Sequence, residues 1–286
     1  MFFMISFFQA IVLGFLQGVT ELFPVSSLGH SVIIPALFGW QINQNSDAFL
    51  TFLVATHFAT ALVLLGFFWN DWVLIGKGVF RSLKNRFIDP ADTYAKLGWM
   101  IVIATIPVGI LGVLFQEKVQ ALLSSAKVVA IVLVANGVML FAAEYLRKKR
   151  TEDNVDADTK IAKLSWFDSV KVGLSECIAL VPGFSRTGST LAASLASGLD
   201  HDAAARFSFL LAAPVIFAAA LLKLPDLFAM PAGASAPTVM GAVAAAIAAY
   251  FSVKFLSKYF KTKTLAPFAG YCLAAGAIFF FVLAVR

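Results

Sequence analysis

Nothing constrains the fold of this chain more than the long stretches that carry no charge. Residues 48–70, 97–116, 227–253 and 264–285 contain no Lys, Arg, Asp or Glu; 207–222 is likewise free, and 119–143 holds only Lys127. A helix needs roughly 20 apolar residues to cross a bilayer. The pattern predicts six spans, at about 48–69, 95–116, 126–146, 204–222, 238–257 and 264–285. Charged residues are 13% of the 286, too few to coat a soluble domain, which carries roughly 25%. The 29 Phe and the aliphatic runs demand burial, which excludes disorder. The runs are continuous and do not alternate with polar residues, which excludes a membrane β-barrel. Residues 1–16 lack a basic leader and a small-residue cleavage site, so they are read as retained structure and not as a signal peptide.

Two further apolar regions are interrupted. Residues 1–40 are broken by Gly18, Pro24, Gly29, Pro35 and Gly39, and residues 169–199 by Pro182, Gly183, Gly188 and Gly198. Each reads as two short helices joined at a Pro-containing tip, a re-entrant hairpin that does not cross.

The basic residues orient the spans. Segment 70–96, read as a loop, holds Lys77, Arg81, Lys84, Arg86 and Lys96. Region 147–171 holds Arg147, Lys148, Lys149, Arg150, Lys160, Lys163 and Lys171. Loop 254–263 holds Lys254, Lys258, Lys261 and Lys263. These are 16 of the 22 Lys and Arg. Placing all three on the cytoplasmic side lets six spans alternate and leaves both termini outside. The net charge of +6 is therefore a topology signal and does not imply a nucleic-acid partner.

One hairpin followed by three spans occurs twice, and an odd number of crossings inverts the second half. The expected organisation is a first repeat over 1–150, a charged cytoplasmic linker over 151–168 and a second repeat over 169–286. A shift of 158 places Leu22 on Leu180, Pro24 on Pro182, Ser27 on Ser185 and Ser31 on Ser189. Such an inverted repeat brings two hairpin tips together near the midplane. The fold class is an all-α polytopic membrane protein with six transmembrane helices and two re-entrant hairpins.

The tips concentrate the unusual polar residues. Gln17 and Glu21 share a helix face, and Ser26 or Ser27 can cap the helix that follows, with His30 and Ser31 beyond. In the second hairpin Glu176 precedes Pro182 and Gly183, Ser185 can cap, and Arg186 and Thr190 share a face. Two helix N-termini with free N–H groups, Gly183 for close approach and the Arg186 fork together suit a phosphate. Charged side chains at membrane depth are costly, so Glu21, Glu176 and Arg186 are candidates for function: they either hold a metal ion or balance one another. His57 reads as a buried hydrogen-bonding residue, His201 as solvent-facing, and Cys177 and Cys272 as free thiols without ligand spacing.

The run from Gln17 through Glu21 into Pro-Val-Ser-Ser-Leu-Gly-His30, and the block from Pro182 to Thr190, resemble the undecaprenyl-diphosphatase family of the bacitracin-resistance type. Gln17 departs from the glutamate that many members carry there. The resemblance implies a bacterial inner-membrane enzyme that converts undecaprenyl diphosphate to the monophosphate and phosphate. Such an enzyme recycles a cell-wall lipid carrier and confers bacitracin tolerance. It also implies a Mg²⁺ or Ca²⁺ cofactor and a site open to the outer, periplasmic face. On this reading Glu21, with Gln17, holds the metal. Ser26, Gly183, Ser185, Arg186 and Thr190 bind phosphate, and Ser27 is the nucleophile with His30 as acid and base. Attack by His30 itself is the alternative. The partners are the lipid substrate and the membrane, with a homodimer left open. The competing class is a secondary transporter or lipid-phosphate flippase on the same inverted repeat.

Overall fold

The computed structural model describes residues 5–44, 46–115, 125–147, 155–222, 225 and 232–285. Residues 116–124 and 148–154, with Lys148, Lys149, Arg150 and the start of the expected linker, lie outside the described residues.

Serine and aspartate set the helix starts. Ser6 caps α1 (Phe7–Thr20) in a reciprocal box with Gln9, Ser26 caps α2 (Ser27–Phe38), and Ser46 caps α3 (Asp47–Phe67). Helix α4 is Trp69–Asn85; Asp92 caps α5 (Thr93–Leu114), Ser125 caps α6 (Ala126–Leu146), and Asp156 caps α7 (Ala157–Ala162). Ser165 and Asp168 box the start of α8 (Trp166–Glu176), a 3₁₀ turn follows over Cys177–Leu180, and Ser185 caps α9 (Arg186–Ala196). Helices α10 (His201–Leu222), α11 (Ala232–Tyr259) and α12 (Ala266–Val285) complete the chain. Each side-chain oxygen accepts one of the N–H groups that a helix start leaves without a partner.

Among the described residues six helices (α3, α5, α6, α10, α11 and α12) are long and apolar enough to cross a membrane. The chain is thus an all-helical multi-pass membrane protein, as the charge-free stretches predict. Helices α1 and α2 have 14 and 12 residues. At 1.5 Å per residue neither covers a hydrocarbon core of about 30 Å.

Each hairpin packs on a span from the other half: α1 lies along α11, and α8 along α5. Small residues permit these crossings. A methyl added to Gly14 would fall 2.0 Å from the Gly241 carbonyl oxygen, and one on Gly18 2.2 Å from that of Ala245. A methyl on Gly173 would fall 2.2 Å from the Ala104 carbonyl oxygen. Without a hydrophobic drive between helices in lipid, such close backbone packing supplies the association energy. Helices α6 and α12 pair along their length and α10 packs on α3.

Three expectations are corrected. Segment 70–96 is not a plain loop, because α4 fills most of it and buries Ile75, Gly78 and Ser82 while exposing Trp69, Phe80 and Leu83. Its basic residues hid an apolar stripe that packs on α5. His201 does not face solvent: it is buried, with Nε2 2.8 Å from Glu144 Oε2. Finally, Ser26 caps α2 in the way that Ser185 caps α9, so the tips correspond with an offset one residue larger than the 158 that aligns Ser27 with Ser185.

Arg206 of α10 clamps this end of the bundle. It donates to Asp158 through Nε (2.5 Å) and Nη2 (2.9 Å), and to Asp71 of α4 through Nη2 (2.8 Å).

Candidate active site

The two hairpin tips touch. A methyl on Gly29 would sit 3.3 Å from the Gly183 Cα, so the first turn of α2 abuts the loop that leads into α9. Asn136 of α6 holds them there. Its Nδ2 donates to the Pro24 carbonyl at 3.0 Å, and its Oδ1 accepts the Ser185 N–H at 3.0 Å. One buried amide thereby satisfies a backbone acceptor of the first tip and a backbone donor of the second.

Glu21, just past the end of α1, is the hub. Its Oε2 accepts from Gln17 Nε2 at 2.9 Å and from Ser27 Oγ at 2.6 Å, and lies 3.2 Å from His57 Nε2. Its Oε1 accepts from Arg186 Nη2, and its backbone carbonyl accepts from Thr187 Oγ1 at 2.8 Å. Arg186 Nε also lies 3.9 Å from Glu176 Oε1. Residues from α1, α2, α3, α8 and α9 thus meet at one point. A carboxylate with this many donors is held ionised and in one orientation.

A cavity of about 440 Å³ opens from this point. Glu21, Ser27, His57, Glu176, Ser185 and Arg186 line its polar end. Its walls are apolar: Leu50, Leu53 and Val54 of α3, Val108 and Val113 of α5, and Val215 and Ile216 of α10. A charged end joined to an oily wall matches a ligand with an anionic head and a hydrocarbon tail.

Other residues expected at the site are elsewhere. His30 does not reach the cavity: Nδ1 lies 2.7 Å from the Ser26 carbonyl and Nε2 2.8 Å from Tyr271 Oη, with the two rings stacked. Ser27 and His30 are only about 60° apart around the helix; the Ser26 carbonyl and Tyr271 of α12 hold the imidazole away from the cavity. Thr190 Oγ1 bonds the Arg186 carbonyl and Ser208, and so braces α9 from behind. Ser26 is spent on the Gly29 N–H. A methyl on Gly183 would meet the Val129 carbonyl at 2.7 Å, so this glycine permits packing on α6 and does not line the cavity.

Two roles escaped sequence reading. His57 belongs to the Glu21 centre; a single histidine in an apolar span gave no sign of its partner. Asn136 was not singled out, although a lone amide in an otherwise apolar span was the available signal.

The residues present suit a hard cation. Gln17 Oε1 and both Glu176 oxygens are buried without a hydrogen-bond partner. Such cations take carboxylate and amide oxygens. Among the described residues no three His, Cys, Asp or Glu side chains converge into a complete cage, so substrate and water oxygens would fill the remaining positions.

Fold and site define a multi-pass helical membrane protein with a carboxylate–arginine centre lining an otherwise apolar cavity. The chain belongs to the family described as bacitracin resistance protein BacA, which it matches over residues 10–278. It is 42% identical over 303 residues, 99% of each chain, to the undecaprenyl-diphosphatase of Mycolicibacterium paratuberculosis. It is 44% identical over 272 residues, 95% of each chain, to undecaprenyl-diphosphatase 1 of Burkholderia pseudomallei.

Proposed function

We propose that this chain is an integral membrane phosphatase that hydrolyses undecaprenyl diphosphate to undecaprenyl phosphate and inorganic phosphate. It thereby returns the lipid carrier to cell-wall synthesis and confers bacitracin resistance. The observation that carries this reading is the Ser27–Glu21–Arg186 constellation, in which a hydroxyl, a carboxylate and a guanidinium meet in the lining of an apolar cavity.

The diphosphate enters the polar end while the first isoprene units lie along α3, α5 and α10. Arg186 turns its fork from Glu21 to the phosphate oxygens and stabilises charge on the transferring group. The N-terminal N–H groups of α9 add to this field. Ser27 Oγ attacks the terminal phosphorus, its proton passes to Glu21 Oε2, and the bond to the lipid phosphate breaks. Glu21 gives that proton to the departing lipid phosphate. It then takes one from the attacking water and returns it to the Ser27 oxygen as inorganic phosphate leaves. Glu21 and Gln17 would hold a Mg²⁺ or Ca²⁺ ion, which when bound neutralises charge on the diphosphate. Proton transfer is assigned to Glu21 in place of His30, whose ring nitrogens are both engaged outside the cavity.

The site faces the outer side of the bacterial inner membrane. This reading is supported by the cavity walls: with the basic segments inside, residues 108–113 of α5 and 215–220 of α10 fall in the outer halves of their spans.

Purified protein in detergent tests the activity. Phosphate release from undecaprenyl diphosphate, absent in Arg186→Ala and Glu21→Ala, is expected. Lipid movement in vesicles without phosphate release would establish the flippase class instead.

A further inference from the structure

We propose that Glu176 supplies the second carboxylate of a divalent-cation site shared between the two hairpins, facing Glu21 across Arg186. This rests on the phosphatase reading for the role of the cation, but its geometry stands apart from it.

Glu176 ends α8 with its side chain wholly buried, and it lines the polar end of the cavity. Neither of its oxygens has a hydrogen-bond partner. Among the described residues its ion-pair partner is Arg186, whose Nε lies 3.9 Å from Oε1, close enough for attraction but too far for a hydrogen bond. A buried carboxylate without a donor is costly and needs a compensating group. Gln17 presents a second oxygen of this kind. Its amide nitrogen is spent on Glu21, and Oε1 is buried and unpartnered.

Charge counting points the same way. Glu21 and Glu176 are the only acids lining the cavity among the described residues, and Arg186 is the guanidinium between them. When phosphate draws the Arg186 fork away, two carboxylates face an anionic head at membrane depth. A divalent cation bound by both removes that repulsion. Two carboxylates plus the neutral Gln17 oxygen leave coordination positions for phosphate and water, the pattern Mg²⁺ takes with phosphate substrates.

The test is titration of Mn²⁺ into purified protein without substrate, with free Mn²⁺ read by electron paramagnetic resonance. Wild type binds one ion. Glu176→Gln, which keeps the shape and removes the charge, weakens binding roughly tenfold or more. Glu144→Gln, a carboxylate outside the cavity, leaves it unchanged. Gln17→Glu added to Glu176→Gln restores binding, which guards against a variant that merely folds poorly. Wild-type Mn²⁺ affinity in a folded Glu176→Gln protein overturns the proposal, and so does failure of the restoring variant in folded protein. If wild type hydrolyses the substrate while Glu176→Gln binds Mn²⁺ normally, this inference alone fails. If Mn²⁺ binding depends on Glu176 but no phosphate is released, the cation site stands and the phosphatase reading fails.

Discussion

Ser27 donates its hydroxyl to Glu21 at 2.6 Å, although the two residues lie on opposite arms of the first hairpin. The tight turn between them makes this contact. Ser26 adopts a positive φ of 69° there and caps α2 with its own side chain. The Ser27 hydroxyl and the Glu21 carboxylate are therefore aligned by local backbone.

Removing either group removes the chemistry. Ser27→Ala and Glu21→Gln are each expected to lower kcat by roughly 10²–10⁴-fold, the range for lost proton transfer in a positioned pair. Phosphate release under saturating lipid substrate reads this directly. Near-normal turnover in Ser27→Ala would move the nucleophile elsewhere, and trapping and mapping a phosphoryl-enzyme would locate it.

His57 is expected to serve Glu21 as a donor. Its Nδ1 faces the Leu53 carbonyl at 2.7 Å and its Nε2 faces Glu21. His57→Leu is expected to lower kcat roughly tenfold, about 1.4 kcal/mol of transition-state stabilisation. His57→Gln keeps an N–H toward Glu21 and retains most activity. Equal loss in both variants would argue against a donor role.

Asn136 carries the alignment of the two tips. Asn136→Leu strips the partner from the buried Ser185 N–H and leaves the Pro24 carbonyl only the weak Cys272 thiol at 3.8 Å, at a cost of roughly 1–3 kcal/mol for a group left unsatisfied. A lower thermal transition in detergent is the expected result, with kcat falling alongside it because Ser27 and Arg186 lose their shared frame. An unchanged transition would show that the tips are held by packing alone.

The α1–α11 crossing depends on small residues. Gly18→Leu places a side chain where a single methyl would already meet the Ala245 carbonyl at 2.2 Å. Helix α1 is then forced off α11 and carries Gln17 and Glu21 with it. Loss of folded protein on size-exclusion chromatography is expected for Gly18→Leu. The same change at Gly66, which has open space around it, is tolerated.

Much of this architecture is legible along the chain. Charge-free windows of about 20 residues locate the spans because no other element hides its backbone polar groups in lipid. Serine and aspartate before apolar runs mark the helix starts. Helix α4 was missed because its basic residues outweighed a short apolar stripe. His201 was misread because its partner Glu144 lies 57 residues away.

The sequence by itself determined that the chain spans a membrane, that Pro and Gly interrupt two of its apolar regions, and that Glu21, Glu176 and Arg186 are rare charges within them. These properties follow from local composition, which water and lipid read segment by segment. Only the tertiary structure decided which polar residues meet. Arg186 reaches Glu21 from 165 residues along the chain, His57 joins them, and His30 turns toward Tyr271 instead. That choice rests on glycine contacts and the Asn136 bridge, which set helix crossings and rotations that no spacing along the chain encodes.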